Sequence, residues 1–566
     1  MKKVIISMFI FSLTILFVAP SAILAAPDSV TVSALPLGNL NNTINGDTTA
    51  GGFAKPNTVY VLQQTTSLDT VYYMTAPITV KGSVHIAGKI NPTTGHPPVI
   101  APSIAGDNSS IGYFFRPQGH DTLSLKGLYF IGTRVDGNAN TGRFVSPNGN
   151  GTVYIFDHCV LENISGEGTP NLFDTWEKDS CSFYVTNCIF RNNQDDNPQN
   201  PGFAWIDPGT IPCDTAIFRN NTFFLTGGYI LGSSGYGARY LEFNHNTIFY
   251  SAQGGAFPIY QLHHAIVKNN IFYSVSSACI PISWYGAPGS WGAGVFMLDS
   301  LRSLTGDPWN MTEADRDITI TDNVYYWPQV ISDKWTELNA GIQSSDPLRP
   351  PDFVNAQPGI LTDKVTWPNV TVADNDSVDP GFDATLDQAA GNNMASFIET
   401  CWTNGGTALG ERPYLNPLSN PPTWEGVASD WATTQGYPVP ENLRYSNTLT
   451  GDDGLPVGDL NWFPEYLTDI DDDIANSLPT EISLNQNYPN PFNPTTKIIY
   501  SLPETMKADL IVYDLTGRKI KVLRHGTQRA GEHVVDFDGS NLSSGVYIYM
   551  LKTDKFTESR KMMLLK

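Results

Sequence analysis

The stretch LEFNHNTIF, residues 241–249, returns 24 residues later as AIVKNNIFY, residues 265–273. Both place apolar residues five and three positions before an asparagine, and a large apolar residue two positions after it. Ala216, Phe218, Asn221 and Phe223 repeat the pattern, as do Ile318, Ile320, Asn323 and Tyr325. Upstream, Cys or Leu replaces Asn: Leu123, Leu125, Leu128, Phe130; Tyr154, Phe156, Cys159, Leu161; and Phe183, Val185, Cys188, Phe190. Alternation before the anchor marks one strand with its apolar face inward, and alternation from the anchor onward marks a second. The step of three between them breaks the period of two, so a turn lies there. Successive anchors are 31, 29, 33, 25, 24 and 53 residues apart, and a strand-patterned repeat of that length predicts a solenoid. A β-sandwich of recurrent hairpins would instead show turns roughly every 8 to 12 residues and no fixed anchor column. Asn221, Asn246, Asn270 and Asn323 are read both as cheap visitors to the left-handed backbone region and as a column of side-chain amides bonded from coil to coil.

With these repeats the chain resembles the right-handed parallel β-helix proteins of the pectate-lyase-like superfamily over roughly residues 57–330. The resemblance implies an all-β fold, a right-handed parallel β-helix solenoid. It does not imply one reaction, because that fold hosts lyases, hydrolases, esterases and non-catalytic adhesins.

Residues 1–26 carry Lys2 and Lys3, an apolar run and then small residues through Ala25 and Ala26, the pattern of a secretory signal peptide. No later run reaches the roughly 18 apolar residues of a membrane span, so no transmembrane segment is expected in the mature chain. The β-helix is assigned to 27–330, and 331–476 to an irregular capping region and acidic linker. There Leu386, Ala390, Met394, Phe397 and Cys401 have the spacing of a helix suited to cover the last coil. Asp469, Asp471, Asp472 and Asp473 lack the Gly and distal Glu of an EF-hand loop and read as linker.

Residues 477–566 form a separate module with strict alternation at Ala508, Leu510, Val512 and at Val546, Ile548, Met550, a small C-terminal β-sandwich. This module resembles the C-terminal sorting domain of the type IX secretion system. The motifs are Asn487-Tyr488-Pro489-Asn490-Pro491-Phe492-Asn493-Pro494 before the first strand, Tyr513-Asp514-Leu515-Thr516-Gly517-Arg518 at a hairpin, Ser544-Gly545-Val546-Tyr547 opening a late strand, and Lys561-Met562 near the basic end. The resemblance implies the type IX secretion machinery as a partner, passage across the outer membrane of a Gram-negative bacterium, and release or attachment to the cell surface.

The formal charge of −22 is uneven: with the tail's +3 and Lys2 and Lys3 set aside, residues 27–476 carry −27. Such a body repels nucleic acid and anionic membrane, and would meet a polyanionic glycan only through bridging cations such as Ca²⁺. The sequence requires no cofactor. Six cysteines in an exported chain permit disulfides. Cys181 and Cys213, seven and eight residues before successive anchors, are expected to pair, and Cys159 and Cys188 to stay thiols in the inward column.

Counting 15 residues back from four anchors gives Phe144, Phe173, Ile206 and Leu231, which predicts a third strand per coil. Its outward positions and flanking loops carry Arg143, Asp174, Trp176, Trp205, Asp207, Tyr229 and Tyr260. In the resembled superfamily this strand commonly lines a glycan groove. Aromatic faces with interspersed acids suit sugar rings, which stack their C–H faces and hydrogen-bond through their hydroxyls. Trp176, Trp205, Tyr229 and Tyr260 are therefore the candidate substrate-binding set, and Asp174, Asp207 and Arg143 the candidate catalytic set. Asp174 and Asp207, stacked on neighbouring coils, would share a proton or hold Ca²⁺. Of the polygalacturonase motifs only Asp195-Asp196 occurs, and no phosphate loop or CxxC pair is present. The expected role is action on, or binding of, extracellular polysaccharide, as a lyase-like or hydrolase-like enzyme. A non-catalytic surface adhesin or display protein stays open beside it.

Overall fold

The computed structural model describes residues 28–565 except 56–57, 64–70, 80, 90–96, 104–110, 133–142, 163, 165–171, 174, 176–177, 179–180, 192, 194–203, 207–212, 227–228, 232–237, 252–256, 260–262, 276–293, 299–311, 342–350, 357–358, 404–442, 464–465, 467–481, 485, 488–489, 503–505, 525–526, 529–530, 541 and 554–555. The assigned signal peptide and the Asp469 to Asp473 run lie outside the described residues.

Each repeat contributes one strand to an 11-stranded parallel sheet and one to a 10-stranded parallel sheet. The first, called here the long sheet, runs from Asp28–Val32 to Val370–Ala373, and the second from Val71–Met74 to Asp376–Ser377. Their inner faces make one core in which all the anchor-pattern apolar residues from Leu123 to Ile320 are buried. Phe130 and Phe144 meet at 4.8 Å and Phe190 stacks on Phe223 at 5.1 Å. Burying each such ring contributes roughly 1.5–3 kcal/mol. At the amino-terminal end the helix Asn39–Gly46 turns Leu40 and Ile44 into that core. Asn45 fixes it by donating to the Pro77 carbonyl at 2.9 Å and accepting from Thr79 N at 2.8 Å.

The amide column forms as expected. Asn221 Nδ2 donates to Asn246 Oδ1 at 2.9 Å, Asn246 Nδ2 to Asn270 Oδ1 at 3.1 Å, and Asn270 Nδ2 to Asn323 Oδ1 at 2.9 Å. The backbone reading of these residues needs correcting. The left-handed residue is the one before each anchor, His158, Asn187, Asn220, His245, Asn269 and Asp322. Turning the chain there leaves the anchor side chain pointing inward, so the two jobs assigned to Asn fall on adjacent positions.

The solenoid also passes the boundary drawn at residue 330. Asn323 Nδ2 donates to Asn375 Oδ1 at 2.8 Å, and Val370, Val372 and Asn375 form a further copy of the pattern. Exposed Ser377 stands where the large apolar residue was required, on the edge strand of the second sheet, beyond which no further coil packs among the described residues. The expected helix is present at Ala384–Thr403, with Leu386, Ala390 and Met394 buried. It does not cover the last coil. Together with helix Gln329–Gly341 and residues 443–463 it packs sideways on the outer face of the second sheet, against Phe224, Phe249, Tyr250, Tyr273 and Val324.

The disulfide expectation also fails: Cys181 and Cys213 are both buried thiols. The register pairs Ser182 with Thr215, which sets Cys181 opposite Asp214 and leaves Cys213 one position off. Both side chains enter the same core, where the offset staggers them along neighbouring strands and leaves them as separate thiols. Burial, and then the adjacent Cys181, push the Cys213 thiol well above its ordinary range. Cys159 and Cys188 are thiols as expected, donating to the Leu125 carbonyl at 3.3 Å and the Thr186 carbonyl at 3.1 Å.

The tail is an antiparallel sandwich. One sheet holds Ser483–Leu484, Thr495–Leu502 and Gly531–Asp538; the other centres on Met506–Asp514, Gly545–Thr553 and Thr557–Leu564. Buried Asn487 ties the entering chain down, its backbone N–H donating to Tyr549 Oη at 2.7 Å and its Nδ2 to Thr496 Oγ1 at 2.9 Å. At the hairpin, Asp514 Oδ1 accepts from the backbone N–H groups of Thr516 and Arg518, both at 3.0 Å, and Gly517 supplies the left-handed turn with φ 81°.

Candidate functional site

The expected third face exists as short parallel strands: Tyr113–Phe115 with Arg143–Val145, Ala204–Ile206 with Tyr229–Leu231, and Phe257–Ile259 with Gly294–Leu298 and Asp352–Ala356. Ile206 and Leu231 pair in register as the count of 15 requires. In the earlier coils Val145, not Phe144, bridges to Phe173, a slip of one residue, and Phe144 is buried beside it.

Of the candidate residues, Asp174, Trp176, Asp207 and Tyr260 lie outside the described residues, as does the Asp195-Asp196 pair. Trp205 and Tyr229 sit on the paired strands Ala204–Ile206 and Tyr229–Leu231. Arg143 is half-buried on the outside of its strand, directly opposite Tyr113.

Around that pair the structure adds residues that the sequence reading missed. The Arg116 guanidinium lies 5.4 Å from the centre of the Tyr113 ring, and its Nη1 donates to Tyr113 Oη at 2.7 Å. Asn148 Nδ2 donates to Gln118 Oε1 at 3.2 Å, and Gln118 Nε2 to the Arg116 carbonyl at 2.7 Å. The patch thus gathers an aromatic ring, two guanidiniums and two side-chain amides on and beside a two-stranded sheet, a donor-rich group suited to hydroxyl and carboxylate oxygens. The signal for it was available: Tyr113 lies 15 residues before the first anchor, Leu128.

Where the third face turns into the long sheet, a second polar column runs up the solenoid. Asp121, Thr152, Cys181, Asp214, Arg239, His263 and Arg316 each lie one position before an in-register pair. Thr152 Oγ1 donates to Asp121 Oδ1 at 3.0 Å, and burial raises the Asp121 carboxyl against that bond. Arg239 forms an ion pair with Asp214, and fully buried Arg316 lies 3.4 Å from Glu313. Of the His263-His264 pair, the first is buried in this column and the second is exposed.

Among the described residues no group of three His, Cys, Asp or Glu is placed to hold a metal ion, and no helix is long and apolar enough to cross a membrane. Residues 486–565 match the family model of the secretion system C-terminal sorting domain. No curated protein and no solved structure matches the chain.

Proposed function

We propose that this chain, carrying a sorting domain that makes it a secreted or surface-attached cargo of the type IX machinery, engages extracellular polysaccharide through the third face of its solenoid. The supporting observation is the in-register pair Tyr113 and Arg143 with Arg116 laid over the tyrosine ring. An aromatic platform stacks on a sugar ring, and fixed guanidinium donors hold its hydroxyl or carboxylate oxygens. The pectate-lyase-like assignment, and right-handed coiling with it, belongs to the same proposal. So do the stacking roles of Trp176, Trp205, Tyr229 and Tyr260 and the roles of Asp174, Asp207 and Arg143 as acid, base or Ca²⁺ ligands. Incubating the secreted protein with a panel of polysaccharides, with and without Ca²⁺, tests the reading. Retention of at least one glycan is expected; new reducing or unsaturated ends would make the protein an enzyme, and retention without cleavage a binder. Failure to retain or cleave any glycan would overturn the proposal.

A further inference from the structure

Residues 443–463 form a strap that crosses the turns between the long and second sheets and shares one apolar cluster with the two lateral helices. Its contacts are built for this place. Asp452 Oδ2 meets Lys268 Nζ at 2.7 Å, Asp452 N donates to Asn269 Oδ1 at 3.1 Å, and Asp453 Oδ2 meets His245 Nε2 at 2.7 Å. Gly458, at φ +84°, passes so close that a Cβ would stand 2.6 Å from Thr247 Oγ1. The strap then buries Asp459 at 1 % exposure. Asp459 Oδ2 accepts from Thr222 Oγ1 at 2.7 Å, Oδ1 accepts from Asn461 N at 2.9 Å and from Asn461 Nδ2 at 2.8 Å, and Asp459 N donates to Thr247 Oγ1 at 2.9 Å. Trp462 Nε1 donates to the same Thr222 hydroxyl at 2.8 Å.

Beneath the strap and helices lies an aromatic ladder on the outer face of the second sheet. Phe224 stacks on Phe249 and Phe249 on Tyr273, each at 5.3 Å and within 10° of parallel. Phe382 and Tyr445 close over this side, with Phe382 set edge-on to Phe249 and Tyr273. Such a surface is stable in water only while covered.

We propose that the strap is a pH-sensitive latch, shut in acid and loosened as the pH rises toward neutrality, whose release takes Tyr445, Trp462 and Phe463 off the aromatic cluster. The switch is Asp459. Every hydrogen bond that the Asp459 carboxyl accepts comes from a neutral donor, and the titratable and charged groups on the surrounding elements, His158, His245 and Lys268 on the turns and Asp452 and Asp453 on the strap, form no ion pair with it among the described residues. A carboxyl taken out of water with no ion-pair partner in contact resists ionisation; burial raises that of Asp459 to about 7 against the hydrogen bonds from Thr222 and Asn461 and the smaller pull of His158, which favour its charged form. A folded value above the unfolded one means that the closed strap binds the proton more tightly than the open strap. Its contribution is complete below the ordinary carboxylate range and is lost as the pH climbs through about 7.

Peptide-resolved hydrogen exchange of the full chain between pH 5 and 8, corrected for intrinsic chemistry, tests this. Opening of residues 443–463 should rise about tenfold per pH unit until near neutrality and then level off, while strands of the long sheet keep their protection. Asp459→Asn, which preserves shape and hydrogen bonding, should flatten the profile, and Asp453→Asn should leave the slope in place. A wild-type strap whose opening is independent of pH overturns the latch whatever the variants do. A slope that survives in Asp459→Asn, or that disappears in Asp453→Asn, assigns the effect elsewhere and overturns it equally.

Discussion

The same strands of the long sheet end in two polar columns, buried or partly buried, that are built on opposite principles. At one end the anchor column repeats Asn221, Asn246, Asn270, Asn323 and Asn375; at the other, Asp121, Thr152, Cys181, Asp214, Arg239, His263 and Arg316 are all different or differently paired. A carboxamide carries both donor and acceptor, so it stacks on copies of itself, and every added coil satisfies the one before. A carboxylate or guanidinium offers only one side of the bond and must find a complementary neighbour, as Arg239 finds Asp214. The first column is a rule that any number of coils can obey. The second is a set of local agreements, each specific to its rung.

The two designs should break differently. The largest effect is expected from Asn246→Leu, which takes their partner from the Asn221 N–H, from one of the two Asn221 Nδ2 hydrogens, the other staying on the Val185 carbonyl, and from the Phe218 carbonyl in the core. A loss of roughly 3–5 kcal/mol follows from three unmet buried groups, seen as a lower urea midpoint, and no second change at Asn221 should restore it, because the gap moves to the next rung. Arg239→Met should cost less, about 1–3 kcal/mol, since Asp214 retains 23 % side-chain exposure. Here a compensating Asp214→Asn should recover most of the loss, because removing the stranded charge removes most of the penalty. Recovery at both columns, or at neither, would erase the distinction.

The smallest effect is confined to acid. Asp157 is buried, which alone would raise its carboxyl, yet its bonds to His158 and Asn187 and the charge of Lys126 hold it down at about 2. A depressed value contributes stability that is present above the unfolded value and lost as the pH falls toward about 2. Asp157→Asn should therefore flatten the acid limb of the melting-temperature profile and leave neutral behaviour little changed. The sign is opposite to that of Asp459 in the strap, although both acids are buried, because Asp157 has Lys126 and His158 in direct contact whereas every hydrogen bond to Asp459 comes from a neutral donor and His158 acts on it only from a distance.

What could be read from the sequence follows the same division. The anchor column was legible because one residue type recurs at one spacing, and the sorting sandwich because its motifs stand in order. Asn375 was missed because Ser377 breaks the pattern at an edge where packing no longer demands a large side chain. The column through Asp214, Arg239 and Arg316 has no one residue type recurring from coil to coil to find. The period of Leu386, Ala390 and Met394 announced a helix but not its seat, since the outward aromatics Phe224, Phe249 and Tyr273 that receive it lie one position beyond the anchor pattern. Tyr113 was within reach of the count of 15, but as an outward residue it did not continue the apolar series.

The most direct test of the functional reading compares two faces of one solenoid. Tyr113 and Arg143 pair on the outside of the third face, and Ile155 and Tyr184 pair, half-buried, on the outside of the long sheet. Affinity electrophoresis of the full chain through polysaccharide-containing gels should show retardation that Tyr113→Ala with Arg143→Ala reduces at least about tenfold, the loss of roughly 1.4 kcal/mol or more, while Ile155→Ala with Tyr184→Ala leaves it intact. Equal loss from both pairs, or retardation indifferent to Tyr113 and Arg143, would contradict the account.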